Sequence, residues 1–471
     1  MLRQPLAFAL ALALALLPAA AHADDLLQSY NNARNSDPQF AAAESRQLAT
    51  REGAVQARAV LLPQIDGSAT LRRSKSDGPS TFQSDPTLPA VTGNISSTST
   101  SRSIGISGSQ VLFDFSRLTT LKSQLALRKA GEFQLESDGL SLITRTSAAY
   151  FNVLVQLETL AAAEAAETAL KKQFDFASKR LEVGLAPITD MYEARAQYDG
   201  ARANTILARN AVQDAYQALV EITGAPVANL KGLPDDFQPA LPESRDIDGW
   251  VKTAIAQNPA LQAKQEQVRS SEISVETARA GHLPTLTLSG GYSKGANWGD
   301  RTFSAGAYND TSPTGSESRG PNLGLTLSVP IFSGGATQSR VRQALAQRDI
   351  SRDELEQQRR ALERNTRNAY QTLVAGISEV EARRLALVSA QSAYEASQVG
   401  LEVGTRTVLD VLNNQRTLFT AQQAYAQSKY NFLQSRLLLE QAAGTLEISD
   451  VEDVNRLLTT DESVAKAIST L

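Results

Sequence analysis

The sequence predicts a mainly α-helical fold in two tandem copies, each interrupted by a pair of membrane-type β-strands. Three observations predict it. First, Leu181-Glu182-Val183-Gly184 returns as Leu401-Glu402-Val403-Gly404, and Asp190 returns as Asp410, at a constant offset of 220 (181 to 401, 190 to 410). Second, each repeat carries a helical pattern of about 67 residues, far beyond an ordinary globular helix. Third, each copy holds two alternating stretches of about ten residues, the length of a spanning strand.

Composition narrows the class. The chain has 471 residues, no Cys, two His and a net charge of −4. Thiol catalysis, thiolate metal sites and disulfides are therefore excluded. No basic run suggests nucleic acid, and no cofactor motif is present. Arg3, an apolar core from Leu6 to Leu17 and Ala21-His22-Ala23 form the pattern of a secretory signal over residues 1–23. That core is too short to span a bilayer. No later stretch suits a transmembrane helix, so any crossing has to use strands.

The duplication extends along both copies. Asp37-Pro38 matches Asn258-Pro259, Leu62-Pro63 matches Leu283-Pro284, Leu112-Phe113 matches Ile331-Phe332, Tyr150 matches Tyr370, and Thr223-Gly224 matches Ala443-Gly444. The first repeat is assigned to 24–224 and the second to 258–444. In the first, Asp37 caps a helix over about 38–62, with Pro38 at its first position. Pro63 ends it. A strand over 65–74, a Ser/Thr/Gly-rich loop over 75–101 and a strand over 103–113 follow. A long helix over 115–181 carries Leu140, Ile143, Ser147, Tyr150, Leu154 and Leu157 at 3-4 spacing, a coiled-coil seam. Gly184 interrupts it at a hairpin tip, and a helix over 187–222 returns to Gly224.

The second repeat predicts a helix over 259–282, strands over 285–293 and 322–332, a loop over 294–320, and helices over 336–402 and 405–443. Residues 225–257 and 445–471 form short connecting segments, expected as an equatorial collar, with a disordered tail after about Val454. Each long helix would reach about 100 Å. The two shorter helices of a repeat, about 24 and 36 residues, nearly equal it end to end. Four strands cannot close a barrel, which needs at least about eight, and an open edge cannot sit in lipid. A membrane-spanning sheet therefore requires an oligomer. Phe113, Phe115 and Phe332 at the strand ends would supply an aromatic girdle. The alternative is a soluble periplasmic coiled-coil scaffold or adaptor without a pore.

Val183-Gly184-Leu185-Ala186-Pro187-Ile188-Thr189-Asp190, then Ala194-Arg195-Ala196-Gln197-Tyr198, and Val403-Gly404-Thr405-Arg406-Thr407-Val408-Leu409-Asp410-Val411-Leu412 resemble the TolC family of outer-membrane efflux and export channels. The resemblance covers nearly the whole chain after the signal. It implies a homotrimer whose twelve strands close a barrel in outer-membrane lipid of a Gram-negative bacterium, continued by an α-helical periplasmic tunnel. It also implies a periplasmic adaptor and an inner-membrane pump or ABC exporter as partners, in drug efflux or type I secretion. On the same ground Arg406 is the linking residue of a periplasmic gate, Asp190 and Thr189 its acceptors on a neighbouring helix, and Asp410 the carboxylate of a threefold acidic ring. Val183, Gly184, Leu185, Val403, Gly404 and Thr405 are the adaptor-contact tips. Two positions depart from the best-known member. Leu401 replaces a Tyr that ties the gate, and Asn413 replaces a second ring Asp.

The same residues also admit plainer roles. Arg406 and Asp410 are four apart and suit a surface pair. Thr407 to Asp410 has the spacing of a capping box. Asp190 near a helix start is favoured by the helix dipole. Gly291-Tyr292-Ser293-Lys294-Gly295 matches a nucleophile-elbow pattern, but it precedes a Ser/Gly-rich loop rather than a helix. His282, the sole His after the signal, lies upstream of it, so no enzyme is expected.

Overall fold

The computed structural model describes residues 25–83, 87, 89–227, 230–234, 237–241 and 246–459. The expected signal over 1–23 lies outside them. The elements are α1 (Leu26–Ser36), α2 (Pro38–Ala59), β1 (Gln64–Phe82), β2 (Val91–Phe113), α3 (Phe115–Glu182), α4 (Ile188–Thr223), α5 (Ile247–Gln257), α6 (Pro259–Arg279), β3 (Thr285–Ala305), β4 (Tyr308–Ser328), α7 (Ala336–Glu402), α8 (Val408–Ala443) and α9 (Ile448–Leu457). The two capping positions act as their chemistry dictates. Asp37 Oδ2 accepts from the Phe40 amide at 2.9 Å, and Asn258 Oδ1 accepts from the Leu261 amide at 3.1 Å. His282 sits in a single 3₁₀ turn, Ala280–His282, between α6 and β3.

The chain divides into two compact units that cut across the duplication. One holds the strands, with residues Ala49–Ala130 and Gln265–Asp353; the other holds Gly131–Lys264, Glu354 onward and the chain up to Leu48. Each unit thus draws equivalent pieces from both repeats. The boundaries fall inside α2, α3, α6 and α7.

In the strand unit, four antiparallel strands form one sheet in the order β1-β2-β3-β4. Alternation sorts the half nearest the helices into two faces. Ile65, Gly67, Ala69 and Leu71 of β1 share a face with Ile104 and Ile106 of β2, Leu286, Leu288 and Tyr292 of β3, and Leu323, Leu325 and Leu327 of β4. The opposite face carries Asp66, Ser68, Thr70, Ser107, Ser109, Thr287, Ser289 and Thr326. A bulge shifts the register between Val111 and Phe113 and sets Phe113 opposite Leu286, on the apolar face. Simple alternation from Ile104 would have put Phe113 on the polar face.

The strands are far longer than the sequence predicts. The loops expected over 75–101 and 294–320 are mostly strand: β1 and β2 pair without interruption from Gln64–Ser109 to Phe82–Val91, and β3 and β4 from Thr285–Ser328 to Ala305–Tyr308. These segments lack apolar alternation, and a Ser/Thr/Gly composition then resembles a loop. The ladder pairs the backbone regardless of side-chain polarity. Hydroxyls add cross-strand bonds, such as Thr302 to Thr311 at 3.0 Å and Ser99 to Asn297 at 2.6 Å. Gly299 is required here, since a Cβ on it would lie 1.9 Å from the Thr98 carbonyl oxygen. β4 ends at Ser328 rather than 332, because Pro330 cannot donate to the ladder. Gly291–Gly295 lies inside β3 with strand on both sides, which is not the strand–turn–helix of a nucleophile elbow.

In the helical unit, the seam residues Ile143, Ser147, Tyr150, Leu154 and Leu157 are buried, and Leu140 packs against the same core. Burying each large apolar side chain is worth about 1.5–3 kcal/mol. The connecting segments join this core through Val227, Leu230, Leu233, Phe237 and Trp250. Tyr150 holds the connector twice, its hydroxyl donating to the Lys231 carbonyl at 3.1 Å and accepting from the Lys231 amide at 3.0 Å. α1 lies where the sequence predicts no helix. It is tied to α9, where Asn455 accepts from the Leu26 amide at 3.1 Å. The expected disorder after Val454 does not begin there. α9 runs to Leu457, Leu458 is buried, and Thr459 pairs with Gly232, because Val451 and Val454 anchor the segment in the core.

Candidate functional site at the hairpin tips

Both tips end their long helix in the same way. Gly184 (φ +74°) and Gly404 (φ +78°) adopt the left-handed conformation that a side chain disfavours. The Leu185 amide donates to the Arg180 carbonyl at 2.8 Å, and the Gly184 amide to Leu181 at 3.0 Å. In the second tip Thr405 donates to Gly400 at 2.8 Å and Gly404 to Leu401 at 3.2 Å. These are paired Schellman closures, which explains the recurrence of Val-Gly.

One difference between the tips goes beyond the sequence reading. Arg180 of the first tip stands at the position of Gly400 in the second, a difference visible at the 220-residue offset. Arg180 donates to the Leu185 carbonyl at 3.3 Å and lies over the Phe176 ring at 5.6 Å, so its charge serves its own tip. At Gly400 a Cβ would lie 2.6 Å from Cγ of Arg406. The missing side chain seats the Arg406 stem. The Gly400 carbonyl also accepts from the Arg406 amide at 3.1 Å and from the Thr405 hydroxyl at 3.1 Å.

The helices after the tips start differently. α4 follows Pro187, which makes no side-chain cap, with Asp190 in its first turn. α8 starts after Thr407, three residues later than expected, because Thr407 and Asp410 form a full capping box. The Asp410 amide donates to Thr407 Oγ1 at 3.2 Å, and Asp410 Oδ2 accepts from the Thr407 amide and hydroxyl, both at 2.9 Å. The Thr407 amide, more than the hydroxyl or the nearby Arg406 charge, holds the Asp410 carboxyl below the usual carboxylate range. A depressed folded-state pKa contributes stability that is present above the ordinary carboxylate range and lost as pH falls through the lowered value. We expect amide protection at the start of α8 to fall below about pH 4 while the Pro187 tip is unaffected; equal loss at both tips would contradict this.

Arg406 is exposed, and among the described residues no carboxylate lies within 4 Å of it. Among the described residues, the Asp190 carboxylate accepts only a long contact from the exposed Thr189, at 3.5 Å. One chain therefore does not bring Arg406 and Asp190 together. Leu401 is half-buried within its closure, and Asn413 is exposed on α8. Beyond the tips α8 packs on α3, where the amide of the buried Gln415 donates to the Ala166 carbonyl at 3.3 Å. Small residues, Ala163, Ala166, Gly200 and Ala201, line a cleft with Leu412 and Gln415 there. Val183, Leu185 and Val403 are 67–68% exposed, a concentration of solvent-facing apolar side chains at the two turns.

Comparison with known proteins agrees with this architecture. A family model described as outer membrane efflux protein matches residues 29–225 and 250–445, one match on each repeat. Outer membrane protein TolC of Vibrio cholerae serotype O1 is 33% identical over 445 residues, covering 94% of this chain and 96% of that protein. The alkaline protease secretion protein AprF of Pseudomonas aeruginosa is 28% identical over 460 residues, covering 96% and 91%. The solved structure of the Campylobacter jejuni CmeC outer membrane channel superposes with a TM-score of 0.71 at 20% identity, covering 92% of this chain and 90% of that one. The chain belongs to the outer membrane efflux protein family.

Proposed function

We propose that the chain is the outer-membrane exit duct of a tripartite efflux pump or type I secretion system, working as a homotrimer that opens and closes at its hairpin tips. The observation that carries this reading is the sheet. It has one apolar face, one polar face and two unpaired edges, β1 and β4. Unpaired backbone is not tolerated in lipid, so copies of the chain complete one another. Three copies give twelve strands, enough for a closed barrel with a polar lumen. Pro79, Pro313 and Pro321 all lie on the two edge strands, where a missing amide costs no bond within the chain. A soluble scaffold gives the apolar sheet face no role.

The duct is passive, and the inner-membrane pump or ABC exporter supplies the energy. A relative named for protease secretion and a family described as outer membrane efflux protein support both cargo classes. The exposed Val-Gly tips suit docking by a periplasmic adaptor. Arg406, with no carboxylate within 4 Å among the described residues, is available to Asp190 and Thr189 of a neighbouring protomer, and docking would spread these links. Conductance of the purified protein in a planar bilayer tests the duct. We expect discrete, salt-dependent steps from an SDS-resistant trimer. A monomer that stays out of membranes would overturn the reading.

Three Asp410 carboxylates would ring the entrance and hold multivalent cations. The capping bonds use Oδ2 alone. Asp410→Asn is expected to weaken block by a trivalent cation by about tenfold or more, since the ring loses all three charges. Block of the wild type should itself be weaker than in channels with a second ring, because Asn413 carries no charge. Unchanged block in the Asn variant would remove Asp410 from the entrance.

A further inference from the structure

On the apolar face of the sheet a cation marks the edge of the apolar band in all four strands. Moving toward the hairpin turns, Leu71 is followed on that face by Arg73 in β1, Ile104 by Arg102 in β2, and Tyr292 by Lys294 in β3. In β4, Leu323 is followed by Pro321 and then Arg319. All four cations are exposed, and among the described residues none lies within 4 Å of a carboxylate. The acidic residues of these strands beyond the band, Asp77, Asp300, Asp310 and Glu317, all come after the cation of their own strand. Arg72, next to Arg73, belongs to the opposite face, paired with Ser101.

The register turns these positions into a line. Leu71 opposes Arg102, Ile104 opposes Lys294, and Lys294 opposes Arg319. From β1 to β4 the row drops by four residues, two at each of the first two steps, or about 13 Å at 3.3 Å per residue. On strands about 4.8 Å apart and inclined by about 40°, points at one height are offset along the strand by roughly 4 Å per strand, about 12 Å over three spacings. The edge of the apolar band drops in the same sense, from Leu71 on β1 to Leu323 on β4. The tilt of a barrel thus brings the four cations to one height, just outside the apolar band. The helices join the opposite ends of the strands, at Gln64, Phe113, Thr285 and Ser328. With the helices on the periplasmic side, the cations lie at the outer leaflet.

We propose that Arg73, Arg102, Lys294 and Arg319 form a girdle that binds the phosphate groups of the outer-leaflet glycolipid, lipopolysaccharide. This rests on the barrel reading of the sheet. The girdle carries four cations per chain and hence twelve per trimer. Arg forks match phosphate oxygens in pairs, and Lys adds a point charge. A girdle at this height meets the phosphates of the headgroup layer, whereas cations on the lumen face meet water.

The test is titration of the purified trimer with bisphosphorylated lipopolysaccharide, reading bound glycolipid and the rise in the temperature of trimer dissociation. The quadruple variant R73Q/R102Q/K294Q/R319Q is expected to lose affinity by roughly several hundredfold, about fivefold for each cation at the surface. Arg72→Gln should bind as the wild type does. The conservative variant R73K/R102K/R319K should retain most of the binding, and glycolipid stripped of phosphate should bind the wild type weakly. Should the quadruple variant fail to assemble, the half-variants R73Q/R102Q and K294Q/R319Q carry the test, each expected to lose at least about tenfold. Wild-type binding by the charge-depleted variants, or an equal loss in Arg72→Gln, overturns the girdle and leaves a conducting trimer untouched. A wild type that neither trimerises nor inserts overturns the duct and the girdle together.

Discussion

Replacing Arg406 with Ser is expected to raise the resting conductance of the reconstituted channel by roughly tenfold or more. Arg406 is exposed, its stem is seated by Gly400, and among the described residues no carboxylate pairs with it. Among the described residues, its proposed partners, Asp190 and Thr189, have no cation paired with them either. An exposed link is worth only about 0.5–1 kcal/mol. Three such links in a trimer sum to about 1.5–3 kcal/mol, and each 1.4 kcal/mol shifts a closed-to-open ratio about tenfold. Asp190→Asn should act in the same direction more weakly, because a neutral acceptor still takes a hydrogen bond. Gly400→Ala should also raise conductance, since a methyl group there displaces the Arg406 stem without removing its charge. Single-channel recording separates the cases. Unchanged conductance in Arg406→Ser would assign closure to other contacts, those around Leu401 first.

The largest expected loss of stability is at Glu158. Lys429 on α8 has a side chain only 2% exposed, and its Nζ lies 3.3 Å from Glu158 Oε1 on α3. The Tyr430 hydroxyl donates to the same oxygen at 2.9 Å and accepts from the Leu233 amide at 3.3 Å. Burial first, then the Glu158 charge, push the Tyr430 phenol well above its ordinary ionisation range, so it remains a neutral donor. The ammonium also lies over the Tyr425 ring at 5.0 Å. Glu158→Ala leaves a buried cation without its counter-charge, a change that costs about 3–5 kcal/mol. Lys429→Met replaces the pair by apolar volume and should cost much less. Chemical denaturation followed by the helical signal checks both. Equal losses in the two variants would mean that packing, rather than the unpaired charge, sets the cost. Because the network also holds Leu233, Glu158→Ala should expose the connector to proteolysis first.

Much of the fold was legible because duplication writes each element twice. Asp37-Pro38 and Asn258-Pro259 marked two helix starts, and Val-Gly marked two left-handed closures, each through local backbone chemistry. The strand halves inside the apolar band were legible from alternation. The outer halves were not, since a strand with polar side chains on both faces has no period to read. The capping role of Asp410 was legible from its spacing to Thr407. The seating of Arg406 on Gly400 was not, because it depends on how the chain folds back across the turn. The Glu158–Lys429–Tyr430 network escaped notice because its charged members lie 271 residues apart and nothing local distinguishes a buried lysine.

By itself the sequence determined the helix ends, the tip closures and the inner strand faces, since caps, left-handed glycines and two-residue alternation act over a few neighbouring residues. Only the tertiary structure decided the full strand lengths, the face taken by Phe113, the charge buried at Lys429 and the alignment of Arg73, Arg102, Lys294 and Arg319. Each of these depends on strand register or on helix packing, which bring together residues that the chain keeps far apart.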